Sequence, residues 1–168
     1  MRRPTVSRSV TPVRIFLRRC IRELDGDIAR QLDDHEVGAL PTSIDGIGTN
    51  TAARLIAELG DLGRFRRAAA LAAYVGVVPS LRQSGKRRGQ RARLCPIGHA
   101  RLRGALRMPL LAAVRRNPWL AAFYDRLIGR GKLHKVALGA TPRELLGVVF
   151  AVVRERKPFV PLLGPAAA

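Results

Sequence analysis

Between Leu62 and Tyr124 the sequence has no Asp or Glu, while the same stretch holds fourteen Arg and Lys. Cysteine is nearly absent. Cys20 and Cys95 lie far apart, which excludes a disulfide framework and a zinc-ligand spacing and fits a reducing cytoplasm. Aromatic residues make up only 5%. That argues against an RNA-binding sheet on which bases stack. Long hydrophobic runs are also lacking. Purely apolar runs such as Val148 to Val153 are far too short to span a bilayer, so no membrane partner is expected.

What is present is positive charge and helix-forming residues. Lys and Arg number 31 against 12 Asp and Glu, a formal net charge of +19. Self-repulsion of that size is relieved by a polyanion, so nucleic acid, DNA first, is the expected partner. Charge alone is equally compatible with a ribosomal or membrane-surface protein. The 47% hydrophobic content is enough for a real core and excludes a disordered basic tail. Ala and Leu dominate, which predicts a mostly α domain.

Met1 to Pro12 shows no period and reads as a disordered arm of residues 1–12. From Val13 to about Val37, apolar residues fall at Val13, Leu17, Ile21, Leu24, Ile28 and Leu32. Steps of three and four make one narrow stripe, close to heptad spacing. A coiled-coil-like helix is expected over 13–40. It needs a partner, either its own domain or a second copy. The domain proper is expected over 41–158, with a tail over 159–168.

Within that domain, Ile44-Asp45-Gly46-Ile47-Gly48-Thr49-Asn50 followed by Ala52-Ala53-Arg54 reads as the hairpin of a helix-hairpin-helix. Gly46 and Gly48 permit a tight turn with outward N–H groups. Thr49 or Asn50 can cap the next helix, whose positive N-terminus would seat a phosphate beside Arg54. Gly76 to Pro96 has no helical period and reads as a long basic loop or hairpin. It carries Arg82, Lys86, Arg87, Arg88, Arg91 and Arg93, with Arg101 and Arg103 extending the track. Loops this long in compact domains are usually functional or disordered. A helix is expected over 97–116 with a kink at Pro109. Asn117-Pro118 opens another, running to about Ile128. Lys132 to Ala140 reads as a further helix. Thr141-Pro142-Arg143-Glu144 reads as a capping box that starts the last one, the central buried element.

In this order and spacing, the motifs resemble the C-terminal transposase domain of the insertion-sequence 110/116/902 family. The resemblance rests on Ser43-Ile44-Asp45-Gly46-Ile47-Gly48, Ala52 to Asp61, the Phe65 segment, and Leu71-Ala72-Ala73-Tyr74-Val75-Gly76-Val77-Val78-Pro79. It continues through Ser84-Gly85, Leu102-Arg103 and Gly131-Lys132 to Leu138. It covers roughly Leu40 to Pro158, and the preceding helix looks like the family's connecting coiled coil.

The resemblance implies DNA transposition. In the complete enzyme an N-terminal RuvC-like domain carries a DEDD carboxylate set that binds Mg²⁺. The C-terminal domain supplies a serine nucleophile, here Ser84. Oligomers combine the two domains, and an element-encoded guide RNA selects the sites. Nothing before residue 40 has the pattern of a RuvC-like domain, so the chain looks truncated: a fragment that would bind nucleic acid without recombining alone. Arg82, Lys86, Arg87 and Arg88 would hold phosphates and stabilise charge developing at phosphorus. His99, the nearest histidine to Ser84, has a structural or solvent-facing role in this reading. The alternative is a non-catalytic helix-hairpin-helix module for DNA or RNA, in which Ser84 is a plain turn serine.

Overall fold

A computed structural model describes residues 10–80, 93–94 and 97–161. They form six helices and one short strand pair. Helix α1 spans Val10–Asp33, α2 Thr49–Leu59, α3 Ala68–Val75, α4 Ala100–Arg116, α5 Pro118–Gly129 and α6 His134–Glu155. Two 3-10 turns, Leu40–Ser43 and Leu62–Arg64, flank α2. Strands β1 (Pro79–Ser80) and β2 (Arg93–Leu94) pair antiparallel, Pro79 opposite Leu94 and Ser80 opposite Arg93. The class is mostly α, as composition predicted. The aperiodic segment after Gly76 is closed at its foot as a hairpin.

The core is one cluster. Ile44, Leu55, Leu59, Leu71, Leu102, Leu106, Leu120, Leu145, Leu146 and Val149 are all fully buried in it. Each such side chain contributes about 1.5–3 kcal/mol relative to exposure. Helix α6 is the central element: nine of its residues are buried, and α3, α5 and both 3-10 turns pack on it. By length and composition α6 alone among the described residues could cross a bilayer. Its apolar side instead forms this core.

Three expectations need correction. Helix α1 begins at Val10, inside the segment expected to be an arm, and ends at Asp33 rather than near Val37. The last two expected helices are one. α6 runs unbroken through Pro142, and Thr141 is not an N-cap but a buried interior residue whose Oγ1 donates to the Ala137 carbonyl at 2.9 Å. Proline removes one helical donor and crowds the carbonyl four residues back, and tertiary burial on both sides of it outweighs that cost. Third, the expected tail begins ordered: Phe159 packs against the core, and its N–H donates to Ser43 Oγ at 2.8 Å.

Asn117 ends α4 and starts α5. Its Oδ1 accepts from the Trp119 and Leu120 N–H groups at 3.0 and 3.2 Å, with Pro118 in the first turn where no donor is needed. Pro109 sits inside α4, which continues past it to Arg116.

Candidate nucleic-acid interface

The turn before α2 is built around its two glycines, and they do different things. Gly46 has φ +97°, and a Cβ there would lie 2.5 Å from the backbone of Ala113. It lets the turn press onto α4. Gly48 precedes the first turn of α2 in extended conformation, with open space where a Cβ would be. No side chain caps α2. The Thr51 and Ala52 N–H groups already bond to the Gly48 carbonyl, so the free donors at this end belong to the residues before them.

Helix α1 reaches this end of α2. Asn50 Nδ2 donates to Asp25 Oδ1 at 2.9 Å. Asp25, Ala29, Gly48, Thr49, Asn50 and Thr51 together line a small pocket. A carboxylate therefore stands next to the place where the sequence put a phosphate. That is electrostatically sensible at a helix N-terminus, and periodicity could not show it. Arg54 is exposed one turn further on and faces a larger groove of about 920 Å³ between α1, α2 and α4. A 3-10 turn rather than a regular helix precedes this hairpin.

The second cluster is the foot of the β1–β2 hairpin. Gly76 (φ +80°) and Gly98 (φ +124°) lie against each other. The Arg103 guanidinium donates to the Val75 and Ile97 carbonyls at 3.1 and 3.4 Å, one on each side of the segment. The His99 N–H donates to the Tyr74 carbonyl at 3.1 Å. His99 Nδ1 accepts the Leu102 N–H at 3.4 Å, capping α4, and its Nε2 faces Glu58 at 3.1 Å. With Nδ1 accepting, Nε2 carries the proton toward the carboxylate. Glu58 also pairs with Arg101 at 3.3 Å.

The predicted track therefore divides. Arg101 is 81% exposed and shares Glu58 with His99. Arg103 is half-buried and bonded to backbone carbonyls. Arg93 lies in β2 with only its backbone described. Ser84, Arg82, Lys86, Arg87, Arg88 and Arg91 lie outside the described residues.

Sequence reasoning missed the cap made by His99 and its contact with Glu58, although it gave the residue a structural role. It also passed over Arg64, Arg66, Arg67 and Arg154. The first three sit inside the acid-free stretch, so the signal for them was there. Among the described residues no group of three or more His, Cys, Asp or Glu could hold a metal ion. The described residues do not fit the Mg²⁺ site that the resemblance implies for the RuvC-like part.

Fold and charge define a small helical domain of strong positive potential, with a hairpin clamped at its foot. The chain belongs to the family described as Transposase IS116/IS110/IS902, whose profile matches residues 39–125. It is 34% identical over 135 residues to the "Insertion element IS110 uncharacterized 43.6 kDa protein" of Streptomyces coelicolor, covering 80% of this chain and 33% of that protein. It is 35% identical over 127 residues to the "Pilin gene-inverting protein" of Moraxella bovis, covering 75% and 39% respectively. With the "Insertion element IS900 uncharacterized 42 kDa protein" of Mycobacterium paratuberculosis it shares 30% over 149 residues, covering 88% and 37%. The chain thus spans between a third and two fifths of the length of these curated relatives.

Proposed function

We propose that this chain is the DNA-binding C-terminal part of an insertion-sequence transposase, acting in transposition or site-specific inversion. Membership in the transposase family carries this reading, and relatives named for insertion elements and gene inversion support it. The net charge of +19 and the acid-free stretch supply the affinity for phosphodiesters.

In this reading Ser84 is the nucleophile. Its Oγ attacks phosphorus, an Oγ–P bond forms, and the P–O bond to one deoxyribose oxygen breaks. The hydroxyl proton passes to the carboxylate set expected on the RuvC-like part, and the released oxygen takes up a proton. A serine hydroxyl is a weak nucleophile without such help, so the isolated chain binds DNA without exchanging strands. Arg82, Lys86, Arg87 and Arg88 hold the phosphate. Gly48, Thr49, Asn50 and Arg54 form a helix-hairpin-helix-type backbone contact.

The protein works as a homo-oligomer through α1. Val13, Leu17, Ile21 and Leu24 are each more than half exposed, whereas Leu32, at the far end of the same stripe, is 5% exposed against the domain. The stripe runs on into the apolar groove beside α2. A guide RNA joins the assembly, and the location is the cytoplasm.

The test is a reconstituted strand-exchange reaction in which the RuvC-like part is supplied. Ser84→Ala is expected to keep DNA binding and to lose both strand exchange and the covalent protein–DNA species on a denaturing gel. Full exchange by Ser84→Ala would favour the non-catalytic binding module instead.

A further inference from the structure

We infer that Arg64, Arg66, Arg67 and Arg154 form a second grip on the phosphate backbone of duplex DNA, at the opposite end of α2 from the glycine turn. This deepens the DNA-binding reading and rests on it. Helix α2 has 11 residues, so its two ends lie about 16 Å apart at 1.5 Å per residue. The 3-10 turn Leu62–Arg64 and the start of α3 follow directly, which brings three arginines to that end.

Arg154 comes from the last turn of α6, 88 residues further along the chain. Its guanidinium donates to the Arg66 carbonyl at 3.0 Å. The fold thus collects four exposed guanidinium groups from two separate parts of the chain. None makes an ion pair with a carboxylate among the described residues. The acids closest in sequence do not neutralise them. Asp61 accepts the Gly63 N–H at 2.7 Å, and Glu155, though next to Arg154, pairs with none of the four.

Two of the groups are held by aromatic rings. Arg64 lies over both Phe65 and Tyr74, 4.7 and 4.8 Å from their centroids. Arg154 lies over Phe150 at 5.5 Å. These cation–π contacts position the two side chains without using the N–H donors of Arg64, while Arg154 gives one donor to Arg66 and keeps others for phosphate oxygens. Four cations, none of them ion-paired among the described residues and outnumbering Asp61 and Glu155 beside them, repel one another until a polyanion arrives. At the other end of α2, by contrast, Asp25 already stands beside Asn50. The excess of positive charge therefore makes the arginine end the stronger of the two phosphate contacts. The relatives named for insertion elements and gene inversion point to DNA as its source.

The experiment measures binding of the full chain to a 20-base-pair DNA duplex across a salt series. An RNA hairpin with the same number of phosphates is run beside it. The test variants are Arg64→Gln, Arg66→Gln and Arg67→Gln combined, and separately Arg154→Gln. Arg115→Gln, Arg116→Gln and Arg130→Gln combined give a charge-matched control. Thermal melting checks that each folds. The triple variant should bind DNA roughly tenfold or more weakly at low salt, with its log–log salt slope reduced by roughly 0.9 per lost phosphate contact.

Three results would overturn the inference while leaving DNA binding intact. They are an unchanged slope in folded variants, an equal change in the control, and a loss confined to the RNA hairpin. A flat salt response of the unmodified chain would instead remove the DNA-binding reading itself.

Discussion

Gly76 and Gly98 meet backbone to backbone: a Cβ on Gly98 would lie 2.6 Å from Gly76 Cα, and one on Gly76 would lie 2.3 Å from the Ile97 carbonyl oxygen. Both have positive φ. The contact, with Arg103 bonded to carbonyls on either side, fixes the distance between the two ends of the segment that holds Ser84. Gly98→Ala should therefore destabilise the domain by overpacking, about 1–3 kcal/mol, with left-handed backbone strain added. Urea denaturation would measure it. Wild-type stability in Gly98→Ala would mean that the two backbones separate at no cost.

Asp25 is hydrogen-bonded to Asn50 at the uncapped end of α2. If DNA uses that end, the carboxylate competes with phosphate. Asp25→Asn keeps a side chain that can meet Asn50 and removes the charge. DNA affinity at low salt should rise about two- to fivefold, the range of a charge near a helix terminus. Fluorescence anisotropy on the full chain reads it. No change would place the backbone contact elsewhere.

In the proposed reading, the exposed stripe on α1 is the surface through which copies associate. Replacing Leu17 and Ile21 by Glu adds charge where neither residue is buried by its own domain. The melting curve should barely move, and sedimentation velocity should shift to the monomer. An unchanged oligomer would show that another surface assembles the protein.

Asn117 is fully buried, and its Oδ1 caps α5 with two bonds, while Nδ2 has no acceptor among the described residues. Asn117→Ala should cost about 1–2 kcal/mol by loss of the cap, read as a lower urea midpoint at unchanged slope. Because Nδ2 is already unsatisfied, little further penalty is expected.

Much of the fold was legible because it is local. Apolar spacing in Leu102, Leu106 and Leu110 marked α4, and Asn117-Pro118 marked the start of α5. What failed were places where distant burial overrides local chemistry. Thr141-Pro142-Arg143-Glu144 has every feature of a helix start, yet Leu145, Leu146 and Val149 on one side and Ala137 on the other are buried in the same core, and the helix runs through. The site was legible as a charge pattern and not as an arrangement. Sequence assigned Arg103 to phosphate, and the fold bonds it to Val75 and Ile97. Nor could any local pattern bring Asp25 to Asn50 or Arg154 to Arg66, because those pairs are set by how α1 and α6 pack.

The central claim is that the charge of this chain serves to bind DNA, and binding of a DNA duplex from about 50 to 200 mM salt tests it most directly. With six or more phosphates neutralised, affinity should fall by about a thousandfold or more over that range, along a straight log–log line. A flat line, or no binding at the lowest salt, would contradict it.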